Sequence, residues 1–171
     1  HRLAGHTTSP TTVDCDRDGV RDLLIGAEDG FLYRLPNSWT PPEVLETATL
    51  RLQFRHARDA EFKEGAPAYA NRQYVWYDVP QAFAGWRCLQ TYGGEAAHVA
   101  VTAKSDTTIW LATAASKSGV NLQGWTPTPN TTFGYTDQGR TRMQVFERKL
   151  AAGERVELPQ GNWTGSVLLL P

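Results

Sequence analysis

The sequence predicts an all-β protein: a propeller-type β-hairpin with a calcium loop, followed by an antiparallel β-sandwich. Three observations predict it. Short runs of alternating or branched apolar residues recur along the chain, each closed by Gly, Pro, Asn or Asp. Fifteen Gly and ten Pro, with many Thr, favour turns and strands over long helices. An acidic, Gly-containing stretch lies between two strand-like segments rather than between helices. The length of 171 residues falls in the range of about 100–200 residues per domain. A net charge of −1 supplies no broad basic field, so neither nucleic acid nor a membrane is an expected partner. The longest apolar run, Val167–Leu170, is far short of the ~20 residues that span a bilayer.

In chain order, Thr11–Val13 reads as a strand, 14–22 as an acidic loop and Leu23–Ile25 as a buried strand ended by Gly26. Glu28-Asp29-Gly30 reads as a hairpin turn, and Phe31–Leu35 as the return strand. Residues 1–39 form the first predicted unit. Residues 40–49, beside Pro36, Pro41 and Pro42, read as a Pro-rich linker, with one helical turn over Glu43–Ala48. Residues 50–171 form the predicted sandwich. Leu50, Leu52 and Phe54 alternate with Arg51, Gln53 and Arg55, as expected for a half-buried strand. Ala57–Tyr69 reads as a loop. Further strands are predicted at Tyr74–Val79, Trp86–Tyr92, Ala97–Lys104, Thr107–Ala114, Met143–Lys149, Arg155–Leu158 and Ser166–Leu170. Residues 116–140, rich in Gly and Pro, read as a long loop of the functional kind.

The sharpest motif is Asp14-Cys15-Asp16-Arg17-Asp18-Gly19-Val20-Arg21-Asp22. Asp14, Asp16 and Asp18 can converge on one point if the chain wraps tightly. The Val20 carbonyl and Asp22 then complete an all-oxygen set suited to Ca²⁺. The bland alternative is a solvated acidic turn. An EF-hand would need a Glu at the twelfth loop position, where this chain has Ile25. The loop, Asp22-Leu23-Leu24-Ile25-Gly26 and Glu28-Asp29-Gly30-Phe31-Leu32-Tyr33 together resemble an FG-GAP/VCBS-type β-propeller blade. The resemblance covers about one blade, and a propeller takes ~4–8. With a chain that starts at His1, it implies a tail of a larger, secreted or extracellular, or else periplasmic, protein whose upstream domains are partners.

The second unit, from Asn71–Pro80 through Gln160–Trp163, resembles in layout the β-sandwich modules appended to bacterial polysaccharide-degrading enzymes. Sugar recognition needs flat aromatic faces flanked by amides, carboxylates or Arg. Trp125, Tyr135 and Trp163 lie at predicted loops or turns, with Asp137 and Arg140 close to Tyr135. These five are the candidate carbohydrate-binding residues, and the alternative for each aromatic is core packing. Trp86 and Trp110 are expected in the core; Tyr74 and Trp76 are either core or a flat platform.

Three functions stand open. One is a non-catalytic carbohydrate-binding accessory module with a structural calcium site and a polysaccharide or oligosaccharide partner. The second is a purely structural interdomain module. The third is a polysaccharide-active enzyme, although no nucleophile elbow, zinc motif or phosphate loop is present. Copper chelation by His1 with His6, His56 or His98 is a further alternative. Asn130 and Asn162 head glycosylation triplets. Cys15 and Cys88 either form one disulfide or are separate small buried side chains.

Overall fold

The computed structural model describes residues 9–15, 21–35, 42–94, 97–114, 119–160 and 165–171. The protein is all-β, built from antiparallel sheets. Among the described residues the helical content is one 3-10 turn, Gln81–Phe83. The chain divides between Pro41 and Pro42 into two compact units.

The first unit is a three-stranded meander of β1 (Ser9–Val13), β2 (Asp22–Gly26) and β3 (Leu32–Leu35) in that order. A turn over Ala27–Gly30 joins β2 to β3, closed by a bond from the Gly30 amide to the Ala27 carbonyl. Asp29 holds that turn by accepting hydrogen bonds from the Phe31 amide and the Tyr33 hydroxyl. Val13 pairs with Asp22, so both ends of the acidic loop lie side by side.

The second unit begins with β4 (Glu43–Glu46), β5 (Leu50–Arg55) and β6 (Ala57–Glu61). Then come the two-residue β7 (Trp76–Tyr77), β8 (Arg87–Thr91), β9 (His98–Ala103) and β10 (Thr107–Thr113). It ends with β11 (Thr126–Pro127), β12 (Phe133–Tyr135), β13 (Arg142–Leu150), β14 (Arg155–Glu157) and β15 (Ser166–Leu170). A four-stranded sheet runs β14-β9-β5-β4. An eight-stranded sheet, curled into a half-barrel, runs β6-β8-β15-β10-β13-β12-β7, with β11 also on β13.

The larger sheet is buried on both faces at its centre. One face, with Leu89, Ile109, Leu111, Leu168 and Leu170, packs on Leu50, Leu52, Phe54, Val99 and Val101 of the smaller sheet. The other face, with Cys88, Ala112, Val145, Val167 and Leu169, is covered by Phe62, Tyr69, Trp76 and Phe83. That explains the run Val167–Leu170: a strand wet on one side alternates, and a strand dry on both sides does not. Trp86 and Trp110 are half-buried, meet each other edge to face and pack against the second core.

Four expectations are corrected. The long loop expected over 116–140 contains the short strands β11 and β12, both paired to β13. Glu43–Glu46 is strand, not a helical turn in a linker. It pairs with the edge of β5, whose outward amides and carbonyls would otherwise lack a ladder, and Leu45 packs on the core. The expected loop over Ala57–Tyr69 opens with β6, paired to β8. Its Arg58, Asp59 and Glu61 suit an edge strand, so the apolar alternation that marks a strand is missing. Finally, Cys15 and Cys88 form no disulfide; Cys88 is buried, but Cys15 is exposed and lies in the other unit.

Gly134 in β12 lies under the Tyr77 ring: a Cβ there would sit 2.5 Å from the nearest ring carbon. Gly134→Ala should lower stability by about 1–3 kcal/mol through overpacking. Combined with Tyr77→Ala, the loss should fall below the sum of the two single changes, a comparison that thermal melts of the four proteins make directly.

Candidate functional site

Of the calcium set, Asp16, Asp18 and Val20 lie outside the described residues. Asp14 follows β1, and Asp22 opens β2 and is buried. Asp22 Oδ2 accepts from the Cys15 amide at 3.2 Å and from Arg34 Nε at 2.8 Å. Asp22 therefore ties the two ends of the acidic loop together and neutralises Arg34. The Arg34 guanidinium and the Cys15 amide both meet Asp22 at Oδ2.

The residues predicted to bind carbohydrate do not form one platform. Trp163 lies outside the described residues. Trp125 is half-buried and packs with Leu122 on the core between the sheets. Tyr135 is in strand β12, only 2% exposed, in the core on the opposite face of the larger sheet. The expected shared stack of Trp125 and Tyr135 on one ligand is thus corrected, because β13 carries the two on opposite faces. Arg140 also leaves the set. Its guanidinium lies 4.1 Å from the centre of the Tyr77 ring, a cation–π contact, and its carbonyl accepts the Tyr77 hydroxyl at 2.8 Å.

Tyr135 and Asp137 instead meet Tyr69, Arg72, Tyr74, Gly93 and Gly94 around a cavity of about 190 Å³. Two loops build it. Asn71 clamps the end of β8, donating to the Gly93 carbonyl at 3.2 Å and accepting the Gly93 amide at 2.7 Å. The Arg72 side chain then lies across Gly93 and Gly94. A Cβ on Gly94, whose φ is +88°, would come within 2.8 Å of the guanidinium, so this close approach requires glycine. Opposite, Asp137 accepts the Thr141 amide and hydroxyl, both at 2.7 Å, which fixes the turn after β12.

Tyr74 is half-buried and stacks on Tyr135 with centroids 5.9 Å apart and planes at 25°. Tyr69 meets Tyr135 edge to face at 5.1 Å. Burial pushes the Tyr69 phenol well above its ordinary value, with the neighbouring Tyr135 hydroxyl adding to the shift. Burial likewise raises Tyr135. Both rings stay neutral donors and acceptors at physiological pH. The site can therefore offer aromatic surface, neutral hydroxyls, one guanidinium and one carboxylate. Among the described residues Arg72 has no carboxylate partner within ion-pair distance.

Tyr69, Arg72 and the Gly93-Gly94 pair were not singled out in the sequence as site residues. The glycine doublet was legible only as a turn; its role in admitting the Arg72 side chain depends on contact between distant segments. Trp76, the platform alternative, is fully buried and edge to face with Phe62 at 5.7 Å. Of the histidines weighed for copper, His1 and His6 lie outside the described residues. Among the described residues no group of three or more His, Cys, Asp or Glu is placed to hold a metal. In comparisons with known proteins, no family model, no curated protein and no solved structure matches this chain.

The buried thiol and phenol make a pH prediction. Burial raises Cys88 from an ordinary 9.0 to about 12. The folded-state pKa lies above the unfolded one, so this stability is complete below about pH 9 and is lost as pH rises toward 12. Tyr69 adds the same sign of change above its ordinary 10.0. Denaturant melts should show stability falling from about pH 9, and Cys88→Ala should remove the earlier part of that fall. A thiol reagent should modify native protein at Cys15, and at Cys88 only after unfolding.

Proposed function

We propose that the chain is a non-catalytic carbohydrate-binding module whose second unit holds a sugar ring in the tyrosine cavity. The single observation behind this reading is the joining of Tyr74, Tyr69 and Tyr135 with Arg72 and Asp137 around one opening. Aromatic faces suit the C–H surface of a sugar ring, and the guanidinium and carboxylate suit its hydroxyls. The cavity volume is below the ~300–1,000 Å³ of sites for drug-sized ligands, so the partner is one ring of a polysaccharide or oligosaccharide rather than an engulfed oligomer. An affinity on the order of Kd 10 μM–1 mM follows, or roughly −4 to −7 kcal/mol.

The first unit, in this reading, resembles an FG-GAP/VCBS-type blade and carries a structural Ca²⁺ held by Asp14, Asp16, Asp18, the Val20 carbonyl and Asp22. The pairing of Val13 with Asp22 supports it, since that register closes the acidic loop at its base. Secretion and attachment to further domains belong to the same proposal. A purely structural module is the second reading, favoured by one observation: Tyr135, expected at an exposed loop, is buried.

Tyr74→Ala should abolish retention in affinity electrophoresis, because losing one stacking ring costs ~1–3 kcal/mol by analogy with base–aromatic stacking. Its melting temperature should change little beside that of Trp125→Ala, whose ring packs on the core. Retention unchanged in Tyr74→Ala, with the protein folded, would move the site elsewhere. No retention of the unaltered protein on any polysaccharide would leave the structural reading. For the metal, calorimetry on EDTA-stripped protein should show Ca²⁺ binding and a rise in melting temperature by linkage. Neither heat nor shift would remove the calcium site.

A further inference from the structure

The tyrosine cavity keeps its two charged groups on separate walls. Arg72 and Asp137 both line it, and they form no ion pair with each other. Each is held differently. Asp137 Oδ1 accepts the Thr141 amide and Oδ2 the Thr141 hydroxyl, both at 2.7 Å, so each oxygen is engaged once and can still accept from a ligand hydroxyl. Arg72 Nη1 donates to the Asn71 carbonyl at 3.2 Å, and among the described residues that is the one acceptor its guanidinium meets. Burial keeps the Tyr69 and Tyr135 phenols protonated, which leaves Asp137 as the one negative group lining the cavity.

The backbone places the guanidinium. A Cβ on Gly93 would come within 3.0 Å of Arg72 Cγ and 3.5 Å of Nε, and one on Gly94 within 2.8 Å of Nη2. The side chain therefore runs along a ledge of two glycines, and the Asn71 clamp on Gly93 fixes that ledge. A guanidinium laid down in this way has less rotamer freedom to lose when a ligand arrives. Its rigid fork matches a carboxylate, and a charge-assisted hydrogen bond is roughly twice as strong as a neutral one. A ligand that satisfies both walls has a carboxylate at one end, hydroxyl donors at the other and an apolar C–H face between them for the tyrosine rings. A pyranose uronate has this layout. A neutral hexose gives the guanidinium only a hydroxyl, and an amino sugar brings a second cation to it.

We propose that the tyrosine cavity selects a uronate ring, with the sugar carboxylate on Arg72, a ring hydroxyl donating to Asp137 and the C–H face on the tyrosines. The inference rests on the carbohydrate reading and names the class of sugar. Arg72 is then the specificity-determining residue, whereas Tyr74 serves any sugar the cavity holds. The Arg72 contribution weakens with salt, because the residue is exposed and screening acts over about 8–10 Å at physiological ionic strength.

Ligand-observed NMR titration of the full chain with methyl glucuronide, with its neutral methyl ester and with methyl glucoside tests it. The uronate should bind about tenfold tighter than either neutral sugar, and that difference should shrink as salt is raised. Arg72→Gln should bring the uronate down to the affinity of the glucoside at an unchanged melting temperature. Arg72→Lys, which keeps the charge and loses the fork, should retain only part of the preference. Tyr74→Ala should weaken all three sugars alike, and Arg87→Gln, on the larger sheet, should leave all three unchanged. Equal affinity for uronate, ester and glucoside overturns the proposal and leaves the cavity a site for neutral sugars. So does a preference that survives in both Arg72 variants. Equally tight binding of acetate overturns it as well, since the sugar ring would then have no part in recognition. Binding of none of the three, with neutral polysaccharides also unretained, overturns the carbohydrate reading itself.

Discussion

Burial of the larger sheet on both faces is the constraint on which the second unit depends. β15 sits between β8 and β10, and its side chains go alternately into two separate cores. Fully burying a Val or Leu side chain contributes about 1.5–3 kcal/mol, so this strand, apolar on both faces, anchors the unit. It also requires something to cover each face. The four-stranded sheet covers one. The segment after β6 covers the other, running back across the sheet with bonds from the Gly65 amide to the Trp76 carbonyl and from the Ala68 amide to the Tyr74 carbonyl.

That covering segment explains why the aromatic residues gather as they do. Phe62 meets Phe133 at 4.9 Å, and Trp76 meets Phe133 at 5.4 Å, both edge to face. Such pairs add ~0.5–1.5 kcal/mol each beyond area burial. The cluster ends at Tyr69, Tyr74 and Tyr135, where hydroxyl-bearing rings replace Phe and Trp at the margin of the core. A tyrosine can keep its ring in the apolar layer and its hydroxyl at a polar opening. The cavity lies where the core stops, with Arg72 and Asp137 brought in from the two loops that close it.

The smaller sheet follows a simpler rule. Its inner rows are apolar and its outer rows charged or small, as expected of a sheet with one dry face. Its strand order places the small residues of β9 between the long ones of β5 and β14, and a trough results without any loop being involved. In the first unit, Asp22 has a comparable organising role. It lies opposite Val13 and pairs with Arg34 of β3, which binds all three strands through one buried carboxylate.

The all-β class, most of the strands and the inward positions of the half-buried ones were legible in the order of the residues. Leu50, Leu52 and Phe54 alternate with polar residues, and that period is a local property of a strand with one wet face. The acidic motif was equally legible as a motif, since its carboxylates are neighbours in the chain. The sequence did not disclose β4 and β6, because edge strands with polar side chains carry no alternation, nor the two- and three-residue β11 and β12, which are too short to show a period; all four are fixed only by the strands they pair with. Nor did it show that Trp125 and Tyr135 lie on opposite faces of one sheet, or that Tyr69, Arg72 and Gly93 meet Tyr135 and Asp137. Those residues lie up to some seventy positions apart, and only the strand order β13-β12-β7 and the loop laid over it decide which of them share a cavity. Period and spacing report which side of its own strand a residue occupies; which strand lies next to it is settled by long-range pairing and packing.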